Sequence, residues 1–154
     1  MIAKAATISH GGNAVRYSVN KDKAEIVKVN FLPDDISAEA MFQRMVLKQK
    51  EFSSIINKGR PLKRNVIRME ISPTKEESAG WTLADWVRLA NEYIRVFDSI
   101  DLSKKAKRAS AKFTNVKNSQ YVVALHHDAK SGIPHLHIDV NRVDMDGKVN
   151  DDHL

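Results

Sequence analysis

Alternating apolar and polar positions predict five β-strands along the chain. Short segments rich in Val, Ile, Leu and Tyr recur between turn-forming residues, a pattern typical of strands that bury at least one face. A turn-rich stretch separates the last two segments, which predicts an antiparallel hairpin with a long loop. The predicted strands cover residues 2–9, 24–31, 64–72, 120–127 and 135–143.

Apolar residues at helical spacing predict three helices. Ser37 is a suitable N-cap for a helix that runs to about residue 57, before a Gly and a Pro that end it. Thr82 caps another helix, whose apolar positions over 83–97 follow the helical period. A shorter helix is expected over 13–20, and residues 104–118, which show no clear period, are expected to form a mobile loop.

The order of these elements indicates one α+β domain over residues 1–154, an antiparallel sheet covered by helices mainly on one face. Apolar residues make up 42% and charged residues 29% of the chain, a balance that excludes intrinsic disorder. The longest apolar run, residues 121–125, is far shorter than the ~20 residues that span a bilayer, and a secretory signal is lacking, so a soluble cytoplasmic protein is expected. Because cysteine is absent, any metal must bind His, Asp or Glu.

Positive charge is concentrated in two windows of the chain. The net charge is +6, from 25 Lys and Arg against 19 Asp and Glu, but each window alone carries +5 and the remainder carries −4. Such clusters suit a phosphate backbone, although a solvated loop that only maintains solubility has the same composition. The candidate DNA-binding residues are Lys58, Arg60, Lys63, Arg64 and Arg68 in the first window, and Lys104, Lys105, Lys107, Arg108, Lys112 and Lys117 in the second.

Four of the six histidines fall on the predicted hairpin. Side chains alternate along a strand, so His135 and His137 share one face of the second strand, and the apolar residues between and after them face the core. The first strand ends in His126 and His127, either of which can supply a third imidazole, because both faces of that strand are apolar. Three neutral imidazoles with open positions are typical of a catalytic metal site, and Asp128 can orient one of them through its other ring nitrogen. The alternative is that some are ordinary surface or core histidines.

The complete pattern resembles the metal motif of the HUH endonucleases. A His-x-Asp element is followed by a His-hydrophobic-His element and then by Asn-Arg-Val. Within that superfamily the chain is similar to the relaxase/mobilisation nuclease family, whose members nick plasmids or integrative elements at an origin of transfer. The segments that carry the similarity are 126–128, 134–138 and 141–143, together with 1–4, 11–12, 14–17, 70–73 and 81–86.

The resemblance implies an HUH-endonuclease-like fold and a divalent metal site, with Mg²⁺ or Mn²⁺ as the ion. It selects His126 with His135 and His137 as ligands, leaves His127 as the less favoured choice, and puts Asp128 and Asn141 in the shell around them. It also implies a catalytic tyrosine near the amino terminus, at Tyr17. The other tyrosines, Tyr93 and Tyr121, lie in a predicted helix and a predicted strand, where packing accounts for them.

The implied function is metal-dependent nicking and rejoining of one DNA strand at an origin of transfer, which initiates conjugative mobilisation of a mobile genetic element. Attack by Tyr17 would leave a 5′-phosphotyrosyl intermediate. The implied partners are single-stranded origin DNA with its adjacent duplex, accessory mobilisation proteins and a coupling protein. The implied location is the bacterial cytoplasm, and no interaction with a membrane is expected. Two alternatives remain open, namely a metal-dependent phosphodiesterase that uses water and a non-catalytic DNA-binding module. Relaxases usually continue past the histidine motif, so a domain truncated at its carboxy-terminal end is expected.

Overall fold

Five strands form one antiparallel sheet in the part of the chain that the computed structural model describes, residues 1–102, 112–127 and 132–151. They are β1 (Ile2–Ile8), β2 (Glu25–Asn30), β3 (Val66–Ser72), β4 (Tyr121–His126) and β5 (His135–Asn141). The strand order is β1-β3-β5-β4-β2, which makes β5 the central strand. The five predicted strands are confirmed, with ends that differ from the predicted ends by no more than two residues.

Within residues 1–102, 112–127 and 132–151, four α-helices accompany the sheet, three of them predicted. Among the described residues, no helix is both long and apolar enough to cross a membrane. The helices are α1 (Gly11–Asn20), α2 (Ala38–Glu51), α3 (Lys75–Ser78) and α4 (Leu83–Ser99).

The predicted caps are present at the two long helices. Ser37 accepts a hydrogen bond from the Ala40 backbone N–H at 3.1 Å, and Thr82 forms a capping box with Asp85. The helix α2 ends well before residue 57, because Ser and β-branched Ile residues follow it and are weak helix formers. The periodicity missed α3, which is a single turn held by its own capping box.

Apolar clusters lie on both faces of the sheet. The helix α4 packs against one face, whereas α1 and α2 pack against the other. The α+β class and the antiparallel sheet are confirmed, but the helices are divided between the two faces instead of lying mainly on one. Helical periodicity identifies the apolar stripe of a helix and does not identify the sheet face that receives it. The buried helix residues are Trp86, Ala90, Ile94 and Phe97 on the first face, and Val15, Ala38, Met41 and Met45 on the second.

The central strand β5 separates the apolar core from a buried polar face. Leu136, Ile138 and Val140 belong to the cluster beneath α4, as their alternation predicts. The residues between and after them are His137, Asp139 and Asn141, which are buried on the opposite face, beneath α1 and α2.

Candidate metal centre

Three imidazoles meet on the polar face of β4 and β5. His126 pairs directly with His135 across the two strands, and His137 follows on the same face of β5. The ring centroids lie 4.1 Å apart for His126 and His137, 5.0 Å for His135 and His137, and 5.4 Å for His126 and His135. One nitrogen from each ring lies within 4.8 Å of the other two, so this group can hold a metal ion.

Hydrogen bonds determine which nitrogen of His126 and which nitrogen of His135 is available to a metal. The Nε2 atom of His126 lies 2.8 Å from the carbonyl oxygen of Ser18. A carbonyl oxygen only accepts, so Nε2 carries the hydrogen and Nδ1 keeps its lone pair. The Nδ1 atom of His135 lies 3.4 Å from the carbonyl oxygen of Ile133, which leaves the lone pair on Nε2 by the same argument.

Burial keeps His137 in the protonation state that a metal requires. Its side chain is almost inaccessible, and burial together with the neighbouring His126 lowers the pKa of His137 to about 3. Glu70 acts in the opposite direction, with Oε1 at 3.7 Å from Nδ1 of His137. The imidazole is therefore neutral at neutral pH, as a metal ligand must be.

Glu70 connects the histidines to two cations. Its carboxylate oxygens lie 3.1 Å from Lys4 Nζ and 2.9 Å from an Arg68 guanidinium nitrogen. Burial alone would raise the pKa of the Glu70 carboxyl, but the hydrogen bond from Lys4 and the charge of Arg68 lower it below its usual value. The carboxylate is thus ionised beside His137 and balances charge at the edge of the histidine group.

Tyr17 is the tyrosine that lies beside the histidines. Its ring centroid is 5.6 Å from that of His126 and 5.7 Å from that of His137, and the residue is 43% exposed. Lys21 Nζ donates a hydrogen bond to the phenol oxygen at 3.2 Å, and the Arg68 guanidinium carbon lies 5.7 Å from the ring centroid. An accessible phenol oxygen with a cation at hydrogen-bond distance therefore adjoins the candidate metal ligands.

Two contacts hold α1 so that Tyr17 lies over the sheet. The carbonyl of Ser18 accepts the hydrogen bond from His126, which ties the helix to the end of β4. At the start of the helix, a Cβ on Gly11 would lie 2.4 Å from Val66 Cγ2. Only glycine permits this close approach of α1 to β3.

A family model described as a relaxase, MobA/VirD2-like, nuclease domain matches residues 14–154. The chain belongs to this relaxase family. The matched range contains Tyr17, the three histidines and strands β2 to β5. No curated protein matches the chain. Family membership supports DNA nicking in mobilisation, and the three-histidine group can hold the metal ion on which this family depends.

The two candidates for the third ligand, His126 and His127, occupy different positions in the relaxase domain. His126 belongs to the three-histidine group and His127 does not. His127 is exposed, with Nε2 at 3.4 Å from Glu25 Oε1 on the neighbouring strand β2. Asp128, the predicted partner of a ligand, lies outside the described residues. The ligand role of the three histidines stays a prediction.

Asn141 braces the relaxase sheet against α2, and its hydrogen bonds do not run to a histidine. Its Nδ2 donates to the Met45 carbonyl and to Gln120 Oε1, both at 3.1 Å. Its Oδ1 accepts from Gln49 Nε2 at 2.8 Å and from the Val143 backbone N–H at 3.2 Å. The predicted place of Asn141 beside the ligands is corrected, because its amide is engaged with a helix and two other segments at the far end of β5.

Most of the predicted DNA-binding residues lie away from the histidines. Within the first window only Arg68 contacts Tyr17; the loop before β3 exposes the other four and meets the sheet where Val66 pairs with Asn141. That point is about 13 Å along β5 from His137 at ordinary strand rise. In the second window Lys112 pairs with Asp101 at 3.7 Å, and Lys117 is exposed before the start of β4. The remaining four, Lys104, Lys105, Lys107 and Arg108, lie outside the described residues.

Sequence reasoning missed Lys21, Glu70 and Lys4 as neighbours of the site. Lys21 follows Tyr17 by four positions, and this spacing brings side chains together on a helix, so the sequence contained a usable signal. The two β-strand residues become neighbours only through the register that pairs Lys4 with Glu70 and Glu70 with His137. Segment patterns alone do not reveal that register.

Proposed function

We propose that this relaxase domain nicks one strand of origin-of-transfer DNA by attack of Tyr17 on a phosphodiester, and so initiates conjugative mobilisation. The observation that carries the proposal is the position of Tyr17, exposed and in ring contact with His126 and His137. Tyr93 and Tyr121 instead pack with the apolar cluster beneath α4. The order of the tyrosine and the histidines along the chain agrees with the resemblance noted in the sequence.

The donor set fits a divalent cation. His126, His135 and His137 present one ring nitrogen each at mutual distances within 4.8 Å, and burial keeps the His137 imidazole neutral. When bound, Mg²⁺ or Mn²⁺ would supply Lewis-acid stabilisation of the charge that develops on the attacked phosphate. Nitrogen ligands favour Mn²⁺ over Mg²⁺, which prefers oxygen.

The chain's own residues provide the nucleophile and stabilise its charge. A bond forms between the Tyr17 phenol oxygen and phosphorus, the bond from phosphorus to the 3′ oxygen breaks, and the 3′ oxygen takes up a proton. The phenol must give up its proton, and the Lys21 ammonium at 3.2 Å stabilises the resulting negative oxygen. Because the 5′-phosphotyrosyl link replaces one phosphoester by another, the same site can rejoin the strand.

The proposed substrate is single-stranded origin DNA with the adjacent duplex. Arg68 lies beside Tyr17, and the exposed residues of the loop before β3 extend positive charge toward the far end of β5. Binding would then weaken steeply as salt rises, because neutralised phosphates release their counterions. Accessory mobilisation proteins and a coupling protein remain proposed partners.

The test is incubation with a library of single-stranded origin sequences in Mn²⁺ or Mg²⁺, followed by a denaturing gel. We expect a covalent protein–DNA product, which Tyr17→Phe abolishes while DNA binding persists. Tyr93→Phe is the matched control and keeps the product, since Tyr93 lies against Phe97 in the α4 cluster.

Three results would contradict the proposal. Full product in Tyr17→Phe would remove Tyr17 as nucleophile. Cleavage with no covalent product at any time would favour a phosphodiesterase that uses water. Binding of DNA that survives chelation, with no cleavage at any metal concentration, would favour a non-catalytic binding module.

A further inference from the structure

A groove runs over β1 and β3 on the same sheet face as the histidines. Its volume is about 290 Å³, the lower end of the size range of small-molecule sites. Ala6 forms part of its floor, between Lys4 and Ile8 on this face of β1, and the short Ala side chain leaves the space open. The lining residues are Lys4, Ala5, Ala6, Ile8, His10, Arg68 and Glu70.

The wall of the groove next to β5 belongs to the candidate active site. Arg68 lines the groove and lies against the Tyr17 ring, with 5.7 Å between its guanidinium carbon and the ring centroid. Glu70 lines it as well and lies 3.7 Å from His137 Nδ1. A group in the groove is therefore a direct neighbour of whatever Tyr17 and His137 contact.

The chemistry of the groove suits a nucleobase with its flanking phosphate. Glu70 pairs with both Lys4 and Arg68, so one of the two positive charges is compensated and the other remains for a backbone phosphate. The Ala6 and Ile8 side chains offer apolar surface to a flat ring, and the exposed His10 provides an imidazole at the rim. Sites for single-stranded nucleic acid combine these features, with ring stacking for the base and basic residues for the flanking backbone.

We propose that this groove binds the base of a nucleotide adjoining the phosphodiester that Tyr17 attacks, an inference that rests on the proposed function. Occupation of the groove would fix the register of the strand at the nucleophile. Lys4 and His10, which neither basic window includes, then belong to the DNA-binding surface. Filling the space above Ala6 would displace one base and leave the remaining contacts in place.

The test scans the oligonucleotide recovered as the covalent product, replacing one base at a time by an abasic site. Binding is measured in Mn²⁺ with the Tyr17→Phe chain, so that no cleavage occurs. One abasic position beside the cleavage point should weaken binding about tenfold, the loss of one stacked base. When Ala6→Leu is added to the Tyr17→Phe chain, binding of the intact oligonucleotide should weaken by a similar factor. Binding of the oligonucleotide that carries this abasic site should not change. Ala3→Leu, the same substitution on the other face of β1, should change neither.

The groove assignment would be overturned if Ala6→Leu weakened the binding of every oligonucleotide equally, or if it weakened the binding of none. A photocrosslink provides a second measurement that does not depend on how the variant folds. With 5-iodouracil at the sensitive position, the unsubstituted groove should yield a crosslinked peptide from residues 4–10, and a crosslink confined to another segment would contradict the proposal. A covalent Tyr17 product with either negative result leaves the proposed function standing, whereas no product with any oligonucleotide removes the proposed function itself.

Discussion

Asp139 is a carboxylate that water does not reach. It lies on the polar face of β5 between His137 and Asn141, is fully buried, and is opposite Arg68 in the register between β5 and β3. Burial raises the pKa of Asp139 to about 6, although Ser18 and Arg68 both act to lower it. At neutral pH the folded chain therefore carries an ionised buried group, which costs folding free energy.

Asp139→Asn is expected to stabilise the protein in a pH-dependent manner. Below about pH 4 the carboxyl is protonated in both the folded and unfolded states, so its charge costs nothing there. Between that pH and the folded value of about 6 the unfolded state releases its proton first, and stability falls as pH rises. Each pKa unit is worth about 1.4 kcal/mol of unfolding free energy. The increase in unfolding free energy caused by Asp139→Asn should therefore be about 3 kcal/mol larger at pH 7.5 than at pH 3.5.

Urea unfolding at these two pH values, in a chelator, measures the difference. Asp22→Asn removes an exposed carboxylate and controls for the loss of one negative charge. An equal stability change for Asp139→Asn at both pH values would contradict the account of Asp139.

At the residue scale, strand patterning predicted that His135 and His137 lie together, whereas only the family resemblance selected His126 as the third histidine. Alternation along β5 predicted that His135 and His137 share a face, and the structure bears this out. Alternation along β4 could not choose between His126 and His127, because the strand is buried on both faces. The register between β4 and β5 distinguishes them, and register is a tertiary property that no single segment encodes.

At the scale of elements, α1 connects the fold to the chemistry. The helix has no side-chain N-cap and is held instead by the close approach of Gly11 to β3 and by the bond from His126 to the Ser18 carbonyl. The sequence predicted a short helix here, but it could not predict that this helix places Tyr17 beside His126 and His137. For the same reason the sequence did not predict that the helices divide between the two faces of the sheet.

Gly11→Ala is expected to displace α1 and weaken both folding and DNA cleavage. The added methyl would lie 2.4 Å from Val66 Cγ2, and such overpacking typically costs about 1–3 kcal/mol. Formation of the covalent DNA product should fall with it, since Tyr17 moves with the helix. The measurement is urea unfolding combined with the rate of product formation.

Gly12→Ala is the matched control for this experiment. Its added methyl would lie 3.1 Å from the partly exposed ring of Phe42, which can move, so the cost should be clearly smaller. Equal effects of the two substitutions would contradict the role given to Gly11.

At the scale of the whole molecule, the two faces of the sheet differ in composition. The face beneath α4 is an apolar core, and the opposite face carries the histidines, Tyr17 and the groove over β1 and β3. The central position of β5 holds His135 and His137 between two flanking strands, which gives the candidate ligands a rigid support. Exposed basic residues of the loop before β3 lie toward the other end of the same strand.

The proposed function requires Tyr17 to be the nucleophile, and mass spectrometry of the covalent product tests this role directly. The product formed in Mn²⁺ is digested with nuclease and protease, and the peptide that retains a nucleotide is sequenced by fragmentation. The account predicts a 5′-phosphonucleotide on Tyr17, in the peptide that also contains Ser18. A nucleotide on Tyr93 or Tyr121, or on a residue other than tyrosine, would contradict it.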